Sequence, residues 1–174
     1  MSCTIENGIV KGCKDNMSGI KTVYLANKTS VDTTTIDTLD QIVDITMESG
    51  LYFHEFQVNK NSSNWVENVS AAIANNTVSY EQVLTLIFGK NEITKRNLVK
   101  ILGQAEMVAI VVDKNNEYWY LGYENGLDLS GGTSASGTAP GELNGWTLTL
   151  SGNEPNPAHS IYSGATVVTS VLEP

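Results

Sequence analysis

Residues 106–123 read EMVAIVVDKNNEYWYLGY. The run Met107–Val112 is apolar at every position, so a strand built from it presents apolar side chains on both faces and has to lie inside a layered sheet. The KNN that follows is a turn signal, and EYWYLGY supplies a second arm rich in aromatic residues. The stretch predicts a β-hairpin whose first arm is internal. That sets the class as a layered, mainly β domain.

Just upstream, NEITKRNLVKILGQ over residues 91–104 is the one clear helix. Ile93, Leu98, Ile101, Leu102 and Ala105 share a face, while Lys95, Arg96 and Lys100 lie toward water. Before it, WVENVSAAIA and VSYEQVLTLIFG flank an NNT turn and predict a long hairpin from Trp65 to Gly89. LYFHEFQV, from Leu51 to Val58, carries bulk on both faces and is expected as a central strand. Shorter strands are expected at Gln41–Thr46 and Thr22–Ala26. Residues 1–21, interrupted by Gly8, Gly12 and Gly19, read as an extended N-terminal arm.

Downstream, residues 125–145 are rich in Gly and Ser and poor in apolar side chains, so burial cannot offset their ordering entropy. They are expected as a long loop that is functional, ordered by a partner, or disordered. Trp146–Gly152 resumes a strand, Pro155 and Pro157 fix a turn, and the Val/Thr-rich Tyr162–Leu172 is expected as a last strand. The expected fold class is mainly β (α+β), a β-sandwich or barrel-like domain with one flanking α-helix, in a single domain over residues 1–174.

Composition agrees with that class and narrows the function. Asn, Thr and Ser number 17, 17 and 15 of 174 residues, a strand-and-turn composition, because these side chains compete for backbone hydrogen bonds in helices. The net charge of −9 argues against a sequence-independent grip on nucleic acid phosphates. Residues 29–59 hold six acids and no Lys or Arg, so an acidic face is expected to separate from a near-neutral one. No basic-then-apolar leader opens the chain, and its longest apolar run is far short of the ~20 residues that span a bilayer. A soluble cytoplasmic product without a membrane partner is expected. Cys3 and Cys13 read as two thiols.

Catalytic and metal chemistry find no complete constellation, so neither a catalytic residue nor a cofactor or metal is expected. Cys3, Cys13, His54 and His159 match zinc in number but not in spacing. Asp113, Asn115, Glu117 and Glu124 fall at calcium-loop positions, yet Tyr118 stands where that loop needs glycine. Ser134 lacks the second glycine of a nucleophile elbow. Tyr118, Trp119, Tyr120 and Tyr123 leave a second reading open, that of a carbohydrate-binding β-sandwich module of a fibre or decoration protein with an aromatic shelf.

NGIVKGCKDNMSGIKTVYLAN (residues 7–27), ANNTVSYEQVLTLIFGK (74–90) and residues 113–158, from DKNNEYWYLGY through LSGGTSASGTAPGELNG to NEPNPA, together resemble small structural proteins of tailed bacteriophages. The likeness is to tail tube proteins and related ring or connector proteins, from phages of Bacteroides-like and marine hosts. It covers most of the chain and rests on patterns of Gly, Asn and aromatic residues. The resemblance implies a non-enzymatic virion protein, assembled in the host cytoplasm, whose copies form a hexameric ring. Strands would close into an inner barrel, and rings would stack, with other tail proteins, into a conduit that DNA crosses without specific binding.

On that view the barrel wall would come from the Trp65–Gly89 hairpin, Leu51–Val58 and Trp146–Gly152. The N-terminal arm and the 125–145 loop would contact the next ring. Asp32, Asp37, Asp40, Asp44, Glu48 and Glu55 are the candidates for an acidic lumen that repels phosphates. Trp65, Tyr80, Trp119, Tyr123 and Trp146 are the candidates for contacts between subunits.

Overall fold

The computed structural model describes residues 8–173. Cys3 and the first third of the expected arm lie outside the described residues. From residue 8 to residue 18 the chain has no regular secondary structure.

The chain is mainly β, with two sheets facing each other and a third layer behind one of them. The first sheet is antiparallel and contains β1 (Ile20–Asn27), β4 (His54–Phe56), β7 (Met107–Asp113), β8 (Tyr118–Leu121) and β11 (His159–Ser160), in the order β11-β8-β7-β1-β4. The second contains β5 (Asn64–Ala72), β6 (Thr77–Gly89), β9 (Asp128–Ala135) and β10 (Gly145–Glu154), in the order β5-β6-β10-β9. A separate hairpin pairs β2 (Val31–Ile36) with β3 (Ile42–Met47). Helix α1 spans Ile93–Leu102 and helix α2 spans Gly164–Val171.

The internal strand expected from the all-apolar run is β7, which sits third in the five-stranded order. Its alternate residues feed two cores, as a strand covered on both faces must. Met107, Ala109 and Val111 join Val23, Leu25, Leu84, Leu86, Leu148 and Leu150 between the two sheets. Val108 and Ile110 join Ile42, Ile45, Phe53, Tyr120 and the α2 residues Val167, Val168 and Val171 on the opposite face. Each such buried aliphatic side chain contributes about 1.5–3 kcal/mol.

Three expectations are corrected. The segment Tyr162–Leu172 is not a strand over most of its length but forms α2, because Val167, Val168 and Val171 then fall on one face against the second core. Its hydroxyls bond inside the helix, Thr169 Oγ1 to the Ala165 carbonyl at 2.6 Å and Ser170 Oγ to the Val167 carbonyl at 2.7 Å. Packing overrides the β propensity of the valines. Leu51–Val58 is not a central strand: His54–Phe56 pair at the β4 edge of the first sheet, and Phe53 makes a single bridge to Leu172. Its bulk serves two cores, with Phe53 in the second and Phe56 against the first. The 125–145 segment is not a loop throughout, since Asp128–Ala135 forms β9 along β10.

The turn preceding β9 is fixed by buried polar groups from the second sheet. Glu154, 3% exposed, accepts the Glu124 and Asn125 backbone N–H groups at 2.9 Å, one on each carboxylate oxygen. Gln82, 1% exposed, accepts the Gly122 N–H through Oε1 at 2.9 Å and donates through Nε2 to Glu67. Glu154→Ala is expected to lower unfolding free energy by about 1–3 kcal/mol by leaving both N–H groups without their acceptor. Glu154→Gln, which keeps one acceptor oxygen, is expected to lose less, and urea denaturation of the three proteins measures the order.

Candidate assembly surface

The period of two in the second sheet divides its side chains cleanly. In β10, Leu148 and Leu150 point into the core, which sends Thr147, Thr149, Ser151 and Asn153 outward. Registers place Ile87, Thr85, Val83 and Glu81 of β6 opposite those four residues. On β5, Asn64, Val66 and Asn68 face the same way, opposite Thr85, Val83 and Glu81. On β9, Thr133, Gly131 and Asp128 complete the row, opposite Thr147, Thr149 and Ser151. These outward residues belong to neither hydrophobic core.

The face carries carboxylates at Glu81 and Asp128 and no Lys or Arg among the outward positions named. Its other side chains are Thr, Ser, Asn, Val and Ile. Both lateral edges are open: β5, nine residues long, ends the sheet on one side and β9, eight residues long, on the other. Unpaired edges of this length are templates for another strand.

The strand directions matter as much as the lengths. All three pairings in the sheet are antiparallel, so the four strands alternate and β9 runs opposite to β5. A copy related by rotation about an axis along the strands therefore offers its β5 antiparallel to the β9 of its neighbour, and alternation continues unbroken.

The structure brings together two of the three segments expected in a barrel wall, the Trp65–Gly89 hairpin and Trp146–Gly152. It sets Leu51–Val58 apart, in the other sheet. The fourth strand is β9, from the segment expected to be loop. The readable sign of this surface is the Thr/Leu alternation in TLTLS. Thr133, Thr147, Thr149, Ser151, Glu81 and Asp128 carry no catalytic or aromatic signal in the sequence.

The six acidic candidates lie elsewhere, five of them on one hairpin. Asp32, Asp37, Asp40, Asp44 and Glu48 belong to the β2–β3 hairpin and its ends, whereas Glu55 lies on the edge strand β4. Register puts Asp44 opposite Thr35 on the outer side of the hairpin. The Asp37 carboxylate is engaged in the turn, accepting the Leu39 and Gln41 N–H groups at 2.8 and 3.0 Å. Asp40 occupies the left-handed region at φ 58°, and its carbonyl lies 2.9 Å from His159 Nδ1. None of the six is on the four-stranded sheet.

The aromatic candidates for subunit contacts are mostly engaged within the chain. Trp65 packs on Trp119 with ring centroids 5.6 Å apart, holding β5 to β8 across the sandwich. Tyr123 packs edge-on against Tyr120 at 6.1 Å and His159 at 4.8 Å. Trp146 lies against the inter-sheet core, its Nε1 buried without a hydrogen-bond partner. Tyr80 is half-buried on β6 opposite Val69 and Glu154. Of the aromatic residues in the Tyr118–Tyr123 stretch, Tyr120 is buried and Tyr118, Trp119 and Tyr123 are half-buried. Burial, with Tyr123 and Glu154 adding, pushes the Tyr120 hydroxyl well above the usual tyrosine range.

The remaining candidate chemistries are dispersed. His54 and His159 lie on strands at opposite edges of the five-stranded sheet, about 19 Å apart at ~4.8 Å per strand spacing. Asp113 caps its hairpin turn, accepting the Asn115 and Glu117 N–H groups at 2.8 and 2.9 Å. Among the described residues no group of three His, Cys, Asp or Glu side chains is placed to hold a metal ion. Among the described residues no helix is long and apolar enough to cross a membrane. No protein-family model, curated protein or solved structure matches this chain.

Proposed function

We propose that this chain is a virion structural protein, a subunit of a hexameric ring of the tail-tube type that stacks into a conduit for DNA. The observation that carries the proposal is the second sheet, with two open edges of matching length and opposite direction, and an outward face without basic side chains. Pairing β9 of each copy with β5 of the next satisfies both edges and closes a ring.

Four strands from each of six copies give about 24 strands. At ~4.8 Å per strand the wall is ~115 Å around and ~37 Å across between backbones, enough to admit a DNA duplex after side chains are counted. The lining would be Thr, Ser and Asn side chains with Val66, Val83 and Ile87 among them and the carboxylates of Glu81 and Asp128, a surface that offers phosphates no cation. This lining replaces the acidic set Asp32 to Glu55 as the proposed lumen. Partners are other copies and other tail proteins, and DNA passes without specific binding.

The reading is tested by the solution mass of the purified chain over rising concentration. A species of about six chain masses that appears cooperatively supports closure. A discrete dimer or trimer at all concentrations contradicts it and favours the fibre-module reading.

A further inference from the structure

Between β4 and α1 the surface is indented by two adjoining apolar cavities of about 380 and 330 Å³, which share His54, Phe56, Leu98 and Leu102 in their walls. Leu98 and Ile101 of α1 stand 38% and 59% exposed at this groove. Its rim carries Glu173, 3.7 Å from His54 Nδ1, and Lys95, whereas Glu55, opposite Tyr24, directs its side chain to the other face of β4. Elsewhere, the segment before β1 holds Ile9 and Val10 fully in solvent, at 104% and 90% exposure, beside Lys11 and Lys14. We propose that this groove receives the N-terminal arm of a second copy of the chain, with Ile9 and Val10 in the groove and Lys11 and Lys14 toward Glu173.

Position and charge both argue for a second copy. The arm is rooted at the β7–β8 turn, where the Met17 N–H donates to Asn115 Oδ1 at 2.8 Å and Asn115 Nδ2 donates to Asn16 Oδ1 at 2.7 Å. That is the end of the first sheet where β1 begins. The groove mouth is formed by Leu25, Ala26 and Met107, at the end where β1 finishes and β7 begins. β1 has eight residues, so about 26 Å separates its two ends. Folding back onto its own groove would use the whole stretched length of the arm between Asn16 and Ile9, at ~3.3–3.6 Å per residue. Copies stacked end to end bring root and groove side by side. The contact is heterologous and repeats along the stack, joining one ring to the next. The arm's excess of Lys over acid between residues 8 and 15 suits Glu173 at a groove whose one lysine, Lys95, is taken up by the Gly89 and Lys90 carbonyls, which favours this occupant over an acidic one.

The inference rests on the stacking half of the proposed function, and its test reads separately from ring closure. A photo-cross-linking amino acid is placed at Ile9 in an equal mixture of chains with natural and heavy nitrogen. Irradiated assemblies are then digested and mapped by mass spectrometry. Mixed-isotope cross-links from residue 9 to residues 54–56 or 98–102 are expected. Cross-links within one isotope only, links elsewhere, or no link in assembled material overturn the proposal. The Ile9→Asp, Val10→Asp double variant changes side chains that touch nothing in the monomer. It is expected to raise the concentration needed for end-to-end association at least about tenfold, the smallest effect of withdrawing two aliphatic side chains from a groove. An unchanged threshold also overturns the proposal. Mixed-isotope links to the groove in material that forms no rings would leave this contact standing and remove the ring. Rings without such links would do the reverse.

Discussion

Proline at Thr133 and at Ser134 is expected to separate folding from assembly. Successive residues of an antiparallel strand direct their N–H groups to opposite sides, so one of these two donates to β10 and the other to the open edge. Proline removes the donor in either case. Where the lost bond belongs to the β9–β10 ladder, the variant loses about 2 kcal/mol, seen as a fall of roughly 4–8 °C in Tm. Where the lost donor faces the edge, Tm stays within about 2 °C of the parent, and ring formation is abolished because β5 of the neighbour meets a gap in the row. Differential scanning calorimetry and solution mass, measured on both variants, give the two readouts. If both fold and both form rings, the β9 edge is not the contact.

The second large effect belongs to the fold. Gly152→Val is expected to cost about 3 kcal/mol or more, a Tm fall of roughly 6–12 °C. A Cβ at Gly152 would overlap the carbonyl oxygen of Gly126, and the backbone there cannot retreat. Gly126 holds φ 78°, and its other side is packed against the Glu106 side chain, which a Cβ would approach to 2.6 Å. The same turn is pinned by Glu154 through the Glu124 and Asn125 N–H groups. Gly131→Ala is the control, because nothing lies within 4 Å of its missing Cβ. Thermal melts of the two variants should differ by most of the Gly152 effect, and equal melts would show that the turn yields.

The elements legible in the sequence are those whose hydrophobic period is decided by one environment. β7 announces two-sided burial, β5–β6 and β7–β8 announce their turns, and α1 occupies the ten residues Ile93–Leu102 inside the expected 91–104. The illegible ones take their conformation from their neighbours. β9 hides because an edge strand over Leu148 needs small residues: a Cβ on Gly132 would come within 3.0 Å of that side chain. Glycine there reads as loop. In α2, the sequence GATVVTSV fits a strand by propensity and a helix by the spacing of Val167, Val168 and Val171, and only the second core decides between them. Gly164 is part of that decision, since a Cβ there would run into the Tyr118 ring.

For the candidate surface the same logic applies in reverse. Large aromatic residues drew attention as contacts, yet Trp65 and Trp119 spend their faces on each other inside the sandwich. The acidic set from Asp32 to Glu55 is divided between the β2–β3 hairpin with its ends and the edge strand β4. The surface that remains open is built mostly from threonine, serine and asparagine with Val66, Val83 and Ile87 among them, and only strand register gives these residues a shared direction. Its two carboxylates, Glu81 and Asp128, come from strands separated by β10 and by 47 positions in the chain, so no linear motif contains them.

Electron microscopy of the purified chain at rising concentration shows directly whether its copies close into rings. The expected result is closed rings with a central bore, whose wall at higher resolution is a continuous antiparallel barrel with β5 of each copy beside β9 of the next and Thr147 and Thr149 facing inward. Particles of single-chain size at every concentration, or oligomers in which the β5 and β9 edges remain free, would contradict it.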